Sequence, residues 1–226
     1  MSSIVFDIET LAFPLNSFDE KQHEYLFKFC KSEEERLGKI QELALSPLTA
    51  RVITIGMANP ENNHGKVLFL SDEQTTEKSK DGTVEYVSFT EESSIIEQFW
   101  ETIKHYNQFI TFNGRSFDCP FIMMRSAILG VKPSRILIPY RYDTKIHCDL
   151  MEQLTFYNAM RRFNLDFYCK SFGIRSPKED GITGLELAPL FEQKQFRTIA
   201  EYCFGDVLAT AELYRRWKEY INIDNG

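Results

Sequence analysis

The stretch Ile4-Val5-Phe6-Asp7-Ile8-Glu9-Thr10 decides the fold. Residues 3–10 are a β-branched, apolar run of the kind that forms a buried strand. Side chains alternate between the faces of a strand, so Asp7 and Glu9 project from the same face. Two carboxylates side by side on an otherwise apolar strand are costly to take out of water. A hard divalent cation held by carboxylate oxygens is the usual compensation. The pair therefore points to a metal centre built on a strand.

Two more segments supply acids. Asn113-Gly114-Arg115-Ser116-Phe117-Asp118-Cys119-Pro120 contributes Asp118, and Tyr202-Cys203-Phe204-Gly205-Asp206 contributes Asp206. Ile199, Leu208, Leu213 and Trp217 recur at helical spacing across 196–220. Tyr202 and Asp206, four apart on that helix, share one face and can serve one site.

The order Asp-x-Glu, then Asn-Gly-x-x-Phe-Asp-x-Pro, then Tyr-x-x-x-Asp resembles the tyrosine branch of the DEDD superfamily of 3′→5′ exonucleases. The chain is most similar to the predicted exonucleases related to the proofreading domain of family-B DNA polymerases. Residues 165–217, with Asn164-Leu165-Asp166 ahead of a Lys-x-x-x-x-x-Gly turn at 178–184, also look like that group. The resemblance implies an α/β, ribonuclease H-like fold: a mixed central β-sheet flanked by α-helices, with the acid pair on its central strand. One exonuclease domain over 1–226 is expected, with a helical insertion at about 11–50.

The same resemblance implies metal-dependent hydrolysis of single-stranded nucleic acid from its 3′ end, DNA favoured, to nucleoside 5′-monophosphates. Asp7 would bridge two Mg²⁺ or Mn²⁺ ions, Glu9 and Asp206 would complete the nucleophile side, and Asp118 would hold the second ion largely through water. Two ions roughly 3.5–4 Å apart activate water on one side of a phosphodiester and stabilise the departing oxygen on the other. Tyr202 would orient that water. With an ordinary pKa near 10 it is a poor general base at neutral pH. Thr10 and Leu11 would touch the terminal 3′-hydroxyl and wedge its base, and Asn113 and Phe117 would contact its phosphate and base, although Phe117 also suits the core. A role in DNA repair is expected, with any proofreading in trans. A catalytically inactive nucleic-acid-binding scaffold, an exoribonuclease and an endonuclease are the competing classes; the intact five-residue set and the tyrosine spacing favour the exonuclease.

Outward from these motifs, 51–57 and 66–70 read as hairpin partners of the first strand and 84–89 as a further strand. The polar stretch 71–83 lacks any aliphatic or aromatic residue and reads as a mobile hairpin loop. Ile95, Ile96, Phe99, Trp100 and Ile103 mark a helix capped by Thr90, with Glu91 and Glu92 in its first turn. Strand character returns at 109–112, and Pro120 and Gly130 bracket a helix after Asp118. Asp149 is expected to cap a helix or to support the site. His147 has no partner histidine at ligand spacing and takes no metal role.

The 226 residues, 43% hydrophobic and 14% aromatic, can bury a sizeable core. Five cysteines without Cys-x-x-Cys spacing fit a reducing, cytoplasmic setting and read mostly as small buried hydrophobes. Neither a signal peptide nor a membrane span is expected, because Asp7 and Glu9 interrupt the N-terminal apolar run. A net charge of −7 is unusual for a nucleic-acid binder, but it is segregated. Residues 113–178 carry eleven Lys and Arg against five acids, a local +6 beside −13 elsewhere. That segregation predicts one basic flank facing phosphates.

Overall fold

In a computed structural model that describes residues 2–176, 184 and 186–222, a mixed seven-stranded sheet forms the centre of the molecule. The strands are β1 (Ser3–Ala12), β2 (Ala50–Ala58), β3 (Gly65–Leu70), β4 (Thr76–Lys78), β5 (Val84–Phe89), β6 (Gln108–Thr111) and β7 (His147–Asp149). Their order across the sheet is β4-β5-β3-β2-β1-β6-β7. β1 pairs antiparallel with β2 and parallel with β6, and β6 runs parallel with β7. The carboxyl ends of β1, β6 and β7 consequently share one edge of the sheet. Ligand sites in α/β proteins gather at such edges.

Among the described residues the helices are α1 (Glu20–Phe27), α2 (Glu33–Glu42), α3 (Glu92–Ile103), α4 (Asp118–Leu129), α5 (Leu150–Leu154), α6 (Leu165–Phe172), α7 (Leu187–Glu192) and α8 (Phe196–Tyr220). Two apolar layers form, one on each sheet face. Phe6, Phe99, Phe109 and Phe121 anchor the layer under α3 and α4. Val5, Ile110, Phe204, Val207 and Trp217 belong to the layer under α8. The alternation of β1 explains this division: Phe6 and Ile8 face one layer, while Val5 opens the other face, along which Asp7 and Glu9 follow.

Helix α8 lies close over that second face because Gly56 of β2, directly opposite Asp7, has no side chain. A Cβ there would stand 2.9 Å from Val207 Cγ2 and 3.2 Å from Cys203 Sγ. Gly56→Ala is expected to cost about 1–3 kcal/mol through overpacking, measured by denaturant unfolding. It should also push Tyr202 and Asp206 off the sheet, so activity should fall further than stability alone explains.

Several expectations change on contact with the structure. Residues 71–83 do not simply link two hairpin strands, since β3 and β5 run parallel and β4 pairs antiparallel with β5 at the sheet edge. All three residues of β4 are exposed, so neither face imposed an apolar pattern. Helix α3 starts from Glu91 without a side-chain cap, and Thr90 does not cap it. Glu92 is buried: its carboxylate accepts from Val52 N at 2.8 Å and pairs with Arg125 at 2.6 Å. Residues 11–50 do contain helices, α1 and α2, but neither buries a residue. Helix α4 begins at Asp118 itself and ends at Gly130, which takes the left-handed conformation as a C-cap. Apart from Gly184, the expected turn at 178–184 lies mostly outside the described residues, with Lys178 among those not described. No helix among the described residues is long and apolar enough to cross a membrane.

Candidate active site

Three elements bring the five motif residues together. Strand β1 presents Asp7 and Glu9, the start of α4 presents Asp118, and α8 presents Tyr202 and Asp206 across the sheet face. The Asp118 carboxylate accepts a 3.0 Å hydrogen bond from the backbone N–H of Ile8, the residue between the two β1 acids. That bond sets the α4 acid against the strand pair. On the other side, the Cys203 thiol lies 3.6 Å from the carbonyl oxygen of Asp7, so the residue between Tyr202 and the rest of its helix turn seats α8 on β1.

Electrostatics report the same convergence. The carboxyl of Asp7 is held well above the ordinary aspartate range, first by burial and then by the charges of Asp118, Asp206 and Glu9. Glu9 is raised by burial and by Asp206 and Asp118. Burial also pushes Asp118 up to about 7, although the Ile8 N–H bond opposes the shift. Asp7 and Glu9 are each partly buried. Burial and mutual repulsion therefore act together.

Four mutually repelling carboxylates call for positive charge, and their oxygens suit a hard divalent ion. Potential ligand atoms of Asp7, Glu9 and Cys203 lie within 4.8 Å of one another. Cys203 is a poor member of that set: its thiol is buried, and burial with Asp7 and Glu9 nearby pushes its pKa well above the ordinary value. Asp7 and Glu9 are the carboxylates of that group, and Asp118 and Asp206 lie near enough to raise both. Tyr202 is raised in the same way, by burial first and then by Asp206, Glu9 and Asp7, so its phenol stays protonated and can donate.

The flanking candidates separate. Thr10 points to the opposite face from Asp7 and Glu9; it is buried, and its hydroxyl donates to Ala44 O at 2.7 Å. The hydroxyl thereby ties β1 to the 11–50 segment and is engaged within the protein. Leu11 is partly buried, packs against the cluster that contains Phe6 and Ile8, and borders a cavity that Arg51 and Phe191 also line. Phe117 is half-buried against Phe121, with ring centroids 5.5 Å apart, and packs on the core. Asn113 adopts φ 65°, a left-handed conformation that asparagine tolerates. Its backbone N–H donates to Asp149.

Asp149 carries both roles open to it. One carboxylate oxygen caps α5 through Met151 N at 2.9 Å and accepts from Asn113 N at 3.0 Å, while the other accepts from Arg115 N at 2.9 Å. It therefore holds the loop that delivers Asp118. His147 is neutral, lowered to about 3 by burial and by Arg115, with its ring nitrogens bonded to Leu137 O and Thr111 Oγ1.

The basic segment is only partly a surface feature. Arg115 pairs with Glu152 and Arg125 with Glu92, all four side chains withdrawn from solvent, and Arg135 donates to Tyr106 O at 2.5 Å. Much of the local excess of cations thus serves as internal counter-charge. A sequence window overstates the surface charge, because Glu92, the partner of Arg125, lies outside it. Cys119, Cys148, Cys169 and Cys203 are buried, and Cys30 is half-buried.

Over 92% of its length the chain is 23% identical to DNA polymerase 1 of Saccharolobus solfataricus, and over 72% it is 29% identical to DNA polymerase 1 of Sulfurisphaera ohwakuensis. Over 56% it is 29% identical to the catalytic subunit of DNA polymerase epsilon from Aspergillus fumigatus. The aligned regions cover 26%, 19% and 6% of those proteins. A family model matches residues 45–222, a span that includes Asp118, Tyr202 and Asp206 and starts after the β1 acid pair. Because that match takes in most of the chain, the protein belongs to the predicted 3′-5′ exonucleases related to the exonuclease domain of PolB.

Proposed function

We propose that this chain hydrolyses single-stranded nucleic acid, DNA favoured, from its 3′ end and releases nucleoside 5′-monophosphates. The observation that carries the reading is the convergence of four carboxylates from β1, α4 and α8, with Tyr202 beside them. Asp7, Glu9, Asp118 and Asp206 would hold two divalent ions, Mg²⁺ or Mn²⁺. Bound there, such ions would supply hydroxide at neutral pH and stabilise the leaving oxygen. The protein's own part is positional: Asp7 and Glu9 are fixed by the sheet, Asp118 by the Ile8 N–H, and Asp206 by the rigid α8. Tyr202, protonated, donates a hydrogen bond that orients water or a phosphate oxygen. Leu11 and the backbone at Thr10 border the place where the terminal sugar and base would lie, and the Asn113 loop borders its phosphate side.

The test is incubation of the protein with Mg²⁺ or Mn²⁺ and end-labelled single-stranded and duplex DNA and RNA. A stepwise ladder from the 3′ end supports the reading; internal cuts, or no cuts with either ion, reject it. The RNA lanes address the exoribonuclease alternative directly.

The raised carboxyls also give a stability signature. A folded state that binds protons more tightly than the unfolded chain loses stability as pH rises through its higher pKa. In EDTA, the melting temperature should therefore include a contribution present near pH 4–5 and lost as pH passes about 7, the value for Asp118. Mg²⁺ or Mn²⁺ should restore stability at pH 8 by binding the folded state. Asp118→Asn should flatten that pH profile; an unchanged profile would count against the shift.

A further inference from the structure

We propose that an exposed face carrying Tyr140, Arg141, Tyr142, Phe156, Arg161 and Arg162 is a stacking track for single-stranded nucleic acid leading to the carboxylate cluster. The inference deepens the exonuclease reading and rests on it. A group of exposed aromatic rings marks an interaction site where a single one does not. Here Tyr140 is 75% exposed, Tyr142 56% and Phe156 55%, all within one region.

The rings are organised. Tyr142 packs between Tyr140 and Tyr157, with ring centroids 5.6 and 4.6 Å away, and the Arg141 guanidinium lies 5.9 Å from the Tyr157 ring centre. Arg161 lies 5.1 Å from the ring centre of Phe163, which stacks on Phe167 at 4.3 Å and 14°. Aromatic planes interleaved with arginine match what a flexible single strand offers, bases to stack and phosphates to pair.

The backbone that holds them is strained. Phe156, Tyr157 and Asn158 take φ 48°, 56° and 75°, three consecutive non-glycine residues in the left-handed region. Such conformations persist only where the surroundings over-determine them, and they gather at ligand-holding sites. Buried Thr155 does the holding: its hydroxyl donates to Met151 O at 2.7 Å and accepts from Asn158 N at 3.2 Å. Asn158 in turn accepts from Arg162 Nε at 2.7 Å, which orients that guanidinium.

Charge selects the occupant. Across 140–163, Lys145, Arg161 and Arg162 are exposed, Arg141 is exposed but paired with buried Glu152, and Asp149 is buried and engaged within the protein. Asp143 is the one other acid of that stretch. A cationic aromatic face on a chain of net charge −7 suits a polyanion.

Position joins this face to the carboxylate cluster. Glu152 pairs with Arg141 at 2.8 Å and with Arg115 at 3.2 Å, and Arg115 belongs to the loop that delivers Asp118. A second connection runs from Phe163 through Tyr168 to Phe112, just ahead of Asn113. Strand polarity places both connections at the sheet edge that carries the carboxylates.

The experiment measures anisotropy of labelled oligo(dT) of 4 and 20 nucleotides, without divalent metal, over a salt series. Wild-type hydrolysis of the same strands with Mn²⁺ runs in parallel. The double variant Tyr140→Ala/Tyr142→Ala should lose on the order of 10-fold or more of the affinity gained from 4 to 20 nucleotides, with the salt slope kept. Arg161→Gln/Arg162→Gln should reduce that slope by about 1.4, at roughly 0.7 per phosphate contact. Tyr140→Ala alone serves if the double variant melts early, and should show part of the same loss. Wild-type affinity and slope in every variant, with wild-type hydrolysis intact, would overturn the track and leave the exonuclease reading standing. A wild-type protein that neither binds nor cuts any strand would remove both.

Discussion

Replacing Asp7 by alanine is expected to take 3′-end hydrolysis to the detection floor, a loss on the order of 10³-fold or more. Charge stabilisation in a metal-supported transition state is worth several kcal/mol, and each 1.36 kcal/mol is tenfold in rate. Asp7 is also pressed by its neighbours, with burial, Asp118, Asp206 and Glu9 all raising its proton affinity. Its removal relieves that repulsion. The variant in EDTA at pH 8 should melt no lower than the wild type, and the rise in melting temperature on adding Mg²⁺ or Mn²⁺ should shrink or vanish. Loss of activity with a lowered melting temperature would indicate a folding defect. Substantial residual turnover would mean that the metal centre is organised around another carboxylate.

Why the site was readable before the fold follows from where its residues sit. Asp7 and Glu9 break an apolar strand, so their cost is visible in seven letters. Tyr202 and Asp206 obey helical spacing inside a helix whose buried face includes Ile199, Leu213 and Trp217. Local periodicity carries both facts. What the periodicity cannot carry is partnership across long separations. Nothing near Glu92 announces that it will turn inward to Arg125, 33 positions away. Likewise Asp149 could be seen as a cap, but its grip on the Asn113–Arg115 backbone depends on β6 and β7 lying side by side. The Thr10 side chain could have been excluded from the acid face by alternation alone, since it is one residue past Glu9. Strand β4 escaped because it is exposed on both faces and carries no apolar signal.

Tyr202→Phe is expected to slow hydrolysis by about 10- to 10³-fold while leaving metal binding nearly unchanged. The lower bound follows from losing one oriented hydrogen bond, and the upper from losing a donor that acts mainly on the transition state. Asp206→Ala should be more damaging, because it removes a carboxylate and not merely an orienting group. The acid–base behaviour of the phenol separates positioning from proton transfer. Burial and the charges of Asp206, Glu9 and Asp7 push its pKa upward, away from the range in which it could accept a proton at neutral pH. The wild-type rate should therefore show no inflection from Tyr202 between pH 6 and 9. A histidine at that position titrates near neutrality, so Tyr202→His, where active, should gain an inflection between roughly pH 6 and 7.5. Single-turnover rates are the measurement needed, since slow product release would hide a change in the chemical step. Wild-type rates in Tyr202→Phe under those conditions would leave the tyrosine as packing beside the carboxylates, with water oriented by the acids alone.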